Sequence, residues 1–146
     1  MSPDVNVLVA AFRADHPHHP VARDWLIRAR DDCARGKESL TLLPMAIAGF
    51  LRIVTSPRVF LEPDTIEDAI AFLDAILEVP GVEMRHADSE WALLRSTLLS
   101  LGLKGNLVTD AWIAAAVQSI SEHLVTFDRD FLRLLPTRDL TLLAAD

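Results

Sequence analysis

Three aspartates, Asp4, Asp110 and Asp128, stand in otherwise apolar surroundings. Asp4 opens the apolar run to Phe12, Asp128 follows directly on Leu124–Phe127, and Asp110 lies at the start of a segment that is apolar almost all the way round. Carboxylates that converge without basic partners repel one another, and a hard divalent cation with oxygen ligands relieves that repulsion. Magnesium takes one or two carboxylates and completes its shell with water and substrate phosphate. Such an ion polarises a phosphoryl oxygen and lowers the pKa of an attacking water, so the chemistry open to this cluster is phosphodiester hydrolysis. Each acid also has an ordinary reading when taken alone. Asp110 is a possible helix N-cap, Asp128 a possible Asx-turn residue after a strand, and Asp4 a solvated charge near a terminus.

The elements that must position these acids can be traced from hydrophobic periodicity. The segment from Asp4 to Phe12 is compatible with a strand, or with a short strand turning into a helix. The His-Pro-rich stretch from Asp15 to Pro20 is a turn, and Pro20 suits the first position of a helix, where a missing N–H costs nothing. Ala22, Trp25, Leu26 and Ala29 then recur at helical spacing as far as Gly36. Short strands are expected at Ser39–Leu43, Val82–Arg85, His123–Phe127 and Leu140–Leu143. Helices are expected over Met45–Thr55, from a capping box at Asp64–Glu67 to about Glu78, from Asp88 or Ser89 to Gly102, and from Thr109 or Asp110 to Ser119. One or two helical turns follow at Asp130–Leu135. Short apolar strands alternating with helices predict an α/β fold, a parallel sheet covered on both faces. Ligands of such sheets bind beyond the carboxyl ends of the strands, which is where the acids fall.

The whole chain sets outer limits. Its 146 residues suit one domain spanning 1–146 with one substantial core. Half the residues are apolar, too many for a disordered chain. No run is long enough to span a bilayer, the N-terminus lacks the pattern of a secretory signal, and Cys33, the only cysteine, has no internal disulfide partner. These features predict a soluble cytoplasmic protein with no membrane partner. The formal net charge of −7 argues against a protein that holds nucleic acid chiefly by neutralising phosphates, unless a bound cation and a local basic patch overcome it. Arg52 and Arg58 are candidates for such a patch, with solvated surface arginines as the plainer reading.

Beyond spacing, three short motifs in order resemble those of PIN domains of the VapC toxin kind. Asp4-Val5-Asn6 resembles the family's opening Asp-x-Asn. Asn106 to Ala115, containing Asp110-Ala111, is similar to its Asp-Ala-x-x-Ala-Ala helix. Thr126-Phe127-Asp128-Arg129-Asp130-Phe131 is similar to its closing Thr-x-Asp-x-Asp-Phe. The resemblance, which Phe50–Phe60 extends, covers essentially the whole chain. It implies a three-layer α/β/α sandwich with a central parallel sheet and a magnesium- or manganese-dependent endoribonuclease that cleaves RNA. It further implies a toxin neutralised by a small cognate antitoxin, usually as a homodimer. On that pattern Asp4, Asp110 and Asp128 hold the metal and are the catalytic acids, while Asn6 and Thr126 orient them. Asp130 is either a supporting acid or the N-cap of the turn at Phe131, with the cap favoured.

One position departs from the family. Many members carry a glutamate on the second helix where this chain has Gly49, and no nearby acid replaces it. That departure sustains the alternative of a catalytically weak or silent module that binds a protein or RNA. It also predicts that Gly49→Glu raises cleavage or metal affinity. His16, His18 and His19 lack a second ligand set with zinc spacing and read as a solvated turn. His86 and His123 read as strand-edge residues, and Trp25, Trp91 and Trp112 as core.

Overall fold

The computed structural model describes residues 1–144. Among the described residues, five short parallel strands form two hydrogen-bonded ribbons. β1 (Ser2–Pro3), β4 (Leu124–Thr126) and β5 (Leu140–Leu142) lie in the order β1-β4-β5, and β2 (Leu40–Leu42) pairs with β3 (Val82–Met84). The Thr41 N–H donates to the Met1 carbonyl at 2.7 Å, which sets β2 beside β1 and joins the two ribbons. β2 and β4 are buried at every position, as strands covered on both faces must be.

Helices make up the layers around the sheet: α1 (Val5–Phe12), α2 (His19–Ala34), α3 (Pro44–Val54), α4 (Ile66–Leu77), α5 (Glu90–Leu101) and α6 (Leu107–Ser119). The first strand is therefore only Ser2–Pro3, and Asp4 is the N-cap of α1 rather than a strand residue. The run Val7–Ala11 is fully buried because α1 packs between α2 and α3 against β4. α6 is as buried as its all-round apolarity requires, with Ala111 and Ile113–Val117 inside. α5 ends where Gly102 adopts φ +60°, the left-handed cap that glycine adopts without a Cβ clash.

Several expectations shift. α6 begins three residues earlier than Asp110, so Asp110 lies in its first turn and is not its cap. The capping box of α4 moves by one: Thr65, not Asp64, is the N-cap, and its hydroxyl oxygen accepts from the Asp68 N–H at 3.1 Å. Asp64 is occupied elsewhere, 2.6 Å from Arg13. Trp25 is buried, but Trp91 and Trp112 are 62% and 38% exposed: Trp91 because α5 lies at the periphery and buries only Leu94, and Trp112 because it stands on the outer face of α6, where its Nε1 donates to Glu90. No helix among the described residues is long and apolar enough to cross a membrane.

Candidate active site

The site forms where β1 and β4 end side by side. Parallel pairing of Pro3 with Val125 brings Asp4, the next residue of one strand, level with Thr126, the last of the other. Asp4 is 4% exposed and accepts two hydrogen bonds, from the Val5 N–H at 2.7 Å and from the Thr126 hydroxyl at 2.8 Å. Having given its proton to Asp4, Thr126 Oγ1 accepts from Asn6 Nδ2 and from the Asp128 N–H, both at 3.0 Å. Asn6 Oδ1 in turn accepts from the Phe127 N–H at 3.2 Å. One hydroxyl and one amide thus lock the turn after β4 to the start of α1.

Asp128 is the N-cap of a 3-10 turn over Arg129–Arg133, and its Oδ1 accepts from the Asp130 N–H at 2.8 Å. The expectation that Asp130 caps this turn is corrected. β4 stops at Thr126, so the chain turns at Asp128, and the carboxylate two residues before Asp130 fits the Asx geometry. Asp130 is exposed and contributes its charge instead.

The acids feel one another. Burial, opposed by the bonds from Thr126 and Val5, pushes the Asp4 pKa up to about 6, and Asp110 and Asp128 push in the same direction. Asp110 is also raised, first by burial and then by the charges of Asp128 and Asp130. Among the described residues no lysine, arginine or terminal amine forms a salt bridge with any of these four acids. Among the described residues the carboxylates of Asp4 and Asp128 accept only from neutral N–H and O–H donors. Mutually repelling carboxylates with no cation of their own fit a bound divalent ion. The fit is to an open site. Among the described residues no three His, Cys, Asp or Glu side chains are gathered tightly enough to hold an ion as they stand. Magnesium, which keeps several waters and needs one or two carboxylates, suits that arrangement better than an ion that demands an all-protein cage.

A cleft of about 500 Å³ opens over Asp4, Asn6 and Asp110. Gly49 and Arg52 of α3 line it, as does Ile113 of α6. His16, Val59 and Phe60 complete it, and none of the three was expected there. The histidine turn is more ordered than a solvated loop: His18 stacks on Phe127 with centroids 4.6 Å apart, and His19 Nδ1 lies 2.8 Å from the Ala10 carbonyl. Histidine type and proline content say nothing of where a turn docks, so sequence carried no signal for this placement. His123 does sit at a strand edge, with ring contacts to Thr141 at 2.6 Å and the Arg138 carbonyl at 3.1 Å.

Gly49 faces α1. A Cβ built there would stand 2.7 Å from Val5 Cγ2. The space that a side chain on α3 would need is therefore filled by Val5, and the pair lets α1 and α3 approach closely.

The sequence profile of the PIN domain matches residues 1–134. Ribonuclease VapC43 of Mycobacterium tuberculosis is 37% identical over 131 residues, covering 89% of this chain and 86% of the relative. Ribonuclease VapC25 of the same species is 35% identical over 138 residues, covering 92% and 93%. Among solved structures, one described as VapBC2 from Rickettsia felis bound to a DNA fragment from their promoter superposes with a TM-score of 0.67. It covers 98% of both chains at 20% identity, a likeness of fold. With the acids at the ends of β1 and β4 and the profile matched over nearly its whole length, this chain belongs to the PIN-domain family, among its VapC-type members.

Proposed function

We propose that the protein is a metal-dependent endoribonuclease, the toxin of a toxin–antitoxin pair. The observation that carries this reading is the buried Asp4 carboxylate, raised toward neutrality and flanked by Asp110 and Asp128 with no basic partner. Asp4, Asp110 and Asp128 would hold magnesium or manganese, with Asn6 and Thr126 orienting them and Asp130 adding negative charge. When bound, the ion supplies charge neutralisation at the scissile phosphate and acidifies a water.

The chain's own residues do the rest. Thr126 holds the Asp4 carboxylate in one orientation by donating to one oxygen while the Val5 N–H takes the other. The buried floor of Val9 and Ile113 thins the water around the acids, which strengthens their electrostatics. Arg52, exposed on the rim, offers a cation to an RNA phosphate that the acids alone would repel. The same reading extends to a small antitoxin protein as inhibitor, a homodimer as the working form and the cytoplasm as location, as the family resemblance implies.

The test is incubation of purified protein with single-stranded and structured RNAs in magnesium, manganese or EDTA. Metal-dependent cleavage that disappears in Asp110→Asn is expected. Cleavage that survives both EDTA and that substitution contradicts the assignment. A folded protein that binds RNA or a partner without cutting supports the silent module that Gly49 keeps in view.

A further inference from the structure

The cleft has a second half that the acids do not explain. Arg13, at the end of α1, is a clamp. Its guanidinium forks onto Asp15 through Nε at 2.9 Å and Nη2 at 2.7 Å, donates through Nη1 to the Glu62 carbonyl at 3.1 Å, and pairs with Asp64 at 2.6 Å. It also lies 3.9 Å over the ring of Phe60. Nearly all of its N–H donors are consumed and its side chain is 10% exposed, so it is not a phosphate contact. What it does is pin two otherwise independent loops, the histidine turn after α1 and the Ser56–Asp64 loop after α3. The same loops carry His16, Val59 and Phe60 into the cleft.

The chemistry of that wall is specific. Val59, 54% exposed, presents apolar surface to the cleft on the side away from Asp4 and Asp110. His16 Nδ1 accepts the His18 N–H at 3.1 Å. The neutral ring therefore carries its proton on Nε2, and protonation of Nδ1 would break that bond. Burial, with His18 beside it, lowers the His16 pKa and keeps the ring neutral. An apolar face with one neutral N–H donor repels no phosphate but does not attract one either. It suits a flat heteroaromatic ring with an acceptor on its edge, recognised by stacking and a single hydrogen bond.

We propose that His16, Val59 and Phe60, held in place by Arg13, form a nucleobase subsite that seats a base of single-stranded RNA beside the scissile phosphate. The proposal rests on the ribonuclease reading above. His16 and Val59 touch the base, and Arg13 is a positioning residue.

The probe is a randomised single-stranded RNA pool, cut by the wild-type protein in magnesium or manganese, with the cut ends sequenced. His16→Phe keeps a ring but removes the donor. It should raise KM about 3- to 10-fold, the usual worth of one hydrogen bond, while kcat stays within about 2-fold. It should also flatten the nucleotide preference at one position next to the cut. His16→Gln, which restores an N–H donor, should recover part of both. Arg13→Lys, which keeps the charge but loses the fork, should raise KM in the same way, and Val59→Ser should do so without touching the clamp. A His16→Phe protein that cuts with unchanged KM and unchanged preference overturns the subsite and leaves the ribonuclease reading standing. A wild-type protein that neither binds nor cuts the single-stranded pool also overturns the subsite, while cleavage of the structured RNAs decides the ribonuclease reading separately.

Discussion

Thr126 shows how much a single hydroxyl organises here. It is fully buried, donates to Asp4 and accepts from Asn6 and the Asp128 backbone, so it joins residues more than a hundred positions apart. Thr126→Val keeps the shape and strands these groups; urea unfolding should show a loss of about 2–3 kcal/mol, and an unchanged midpoint would mean that the network is dispensable. Asp4 makes a second prediction at this scale. Its folded pKa is raised from 3.8 to about 6, so between those values the folded state binds more protons than the unfolded state. Stability should fall as pH rises through that window, by on the order of 3 kcal/mol if this group acted alone. Asp4→Asn should flatten that slope in melts between pH 4 and 7, and a variant with the wild-type slope would place the effect elsewhere. The residue types and order of Asp4, Asn6, Asp110, Thr126 and Asp128 were legible in the sequence because the motifs are contiguous. The choice between Asp128 and Asp130 as cap was not, since both offer the same carboxylate and only the end of β4 decides.

Among the elements, α1 and α3 set the character of the site. Gly49 and Val5 form a fitted contact, and a side chain at position 49 requires Val5 to shift. The expectation from sequence that Gly49→Glu improves the site carries a packing cost: the added Cβ would stand 2.7 Å from Val5 Cγ2, so Val5 must shift before a carboxylate can be set in the cleft. Gly49→Ala alone should destabilise by about 1–3 kcal/mol through overpacking, despite alanine's better helix propensity. Val5→Ala should relieve the cost, so that a double-mutant cycle in urea shows clear coupling. Additive effects would mean that the helices part freely. Helix and strand order was readable from periodicity because each element has an apolar face of the right period. What the sequence did not show were choices made by distant partners. Asp64 was expected to cap α4 but pairs with Arg13, leaving the cap to Thr65, and nothing local to Asp64 signals that arginine.

At the scale of the molecule, net charge and active site pull in opposite directions. A chain of net charge −7 gains little from counterion release when it meets RNA. Arg52, at the cleft rim, is one of few cations placed to help. Binding of single-stranded RNA should therefore weaken only gently with salt, and Arg52→Ala should reduce the slope of log affinity against log salt by about 0.7, the value of one phosphate contact on a single strand. An unchanged slope would place the phosphate elsewhere. Parallel pairing accounts for much of the site: β1 beside β4 brings the first and third motifs together, a strand order that the fold class predicted from periodicity does not by itself dictate. The burial of each tryptophan was not predictable in the same way. Trp91 lies on a helix that buries one leucine, and amphipathic spacing cannot tell a peripheral helix from a central one.

The most direct test is calorimetric titration of the apo protein with manganese at pH 7, wild type beside Asp4→Asn and Asp110→Asn. The geometry predicts one saturable ion per chain in the wild type, weakened at least about tenfold in each variant, since each removes a charge from an uncompensated cluster. Equal affinity in all three proteins, or no binding to the folded wild type, would contradict the proposal that Asp4 and Asp110 bind a metal at this open site.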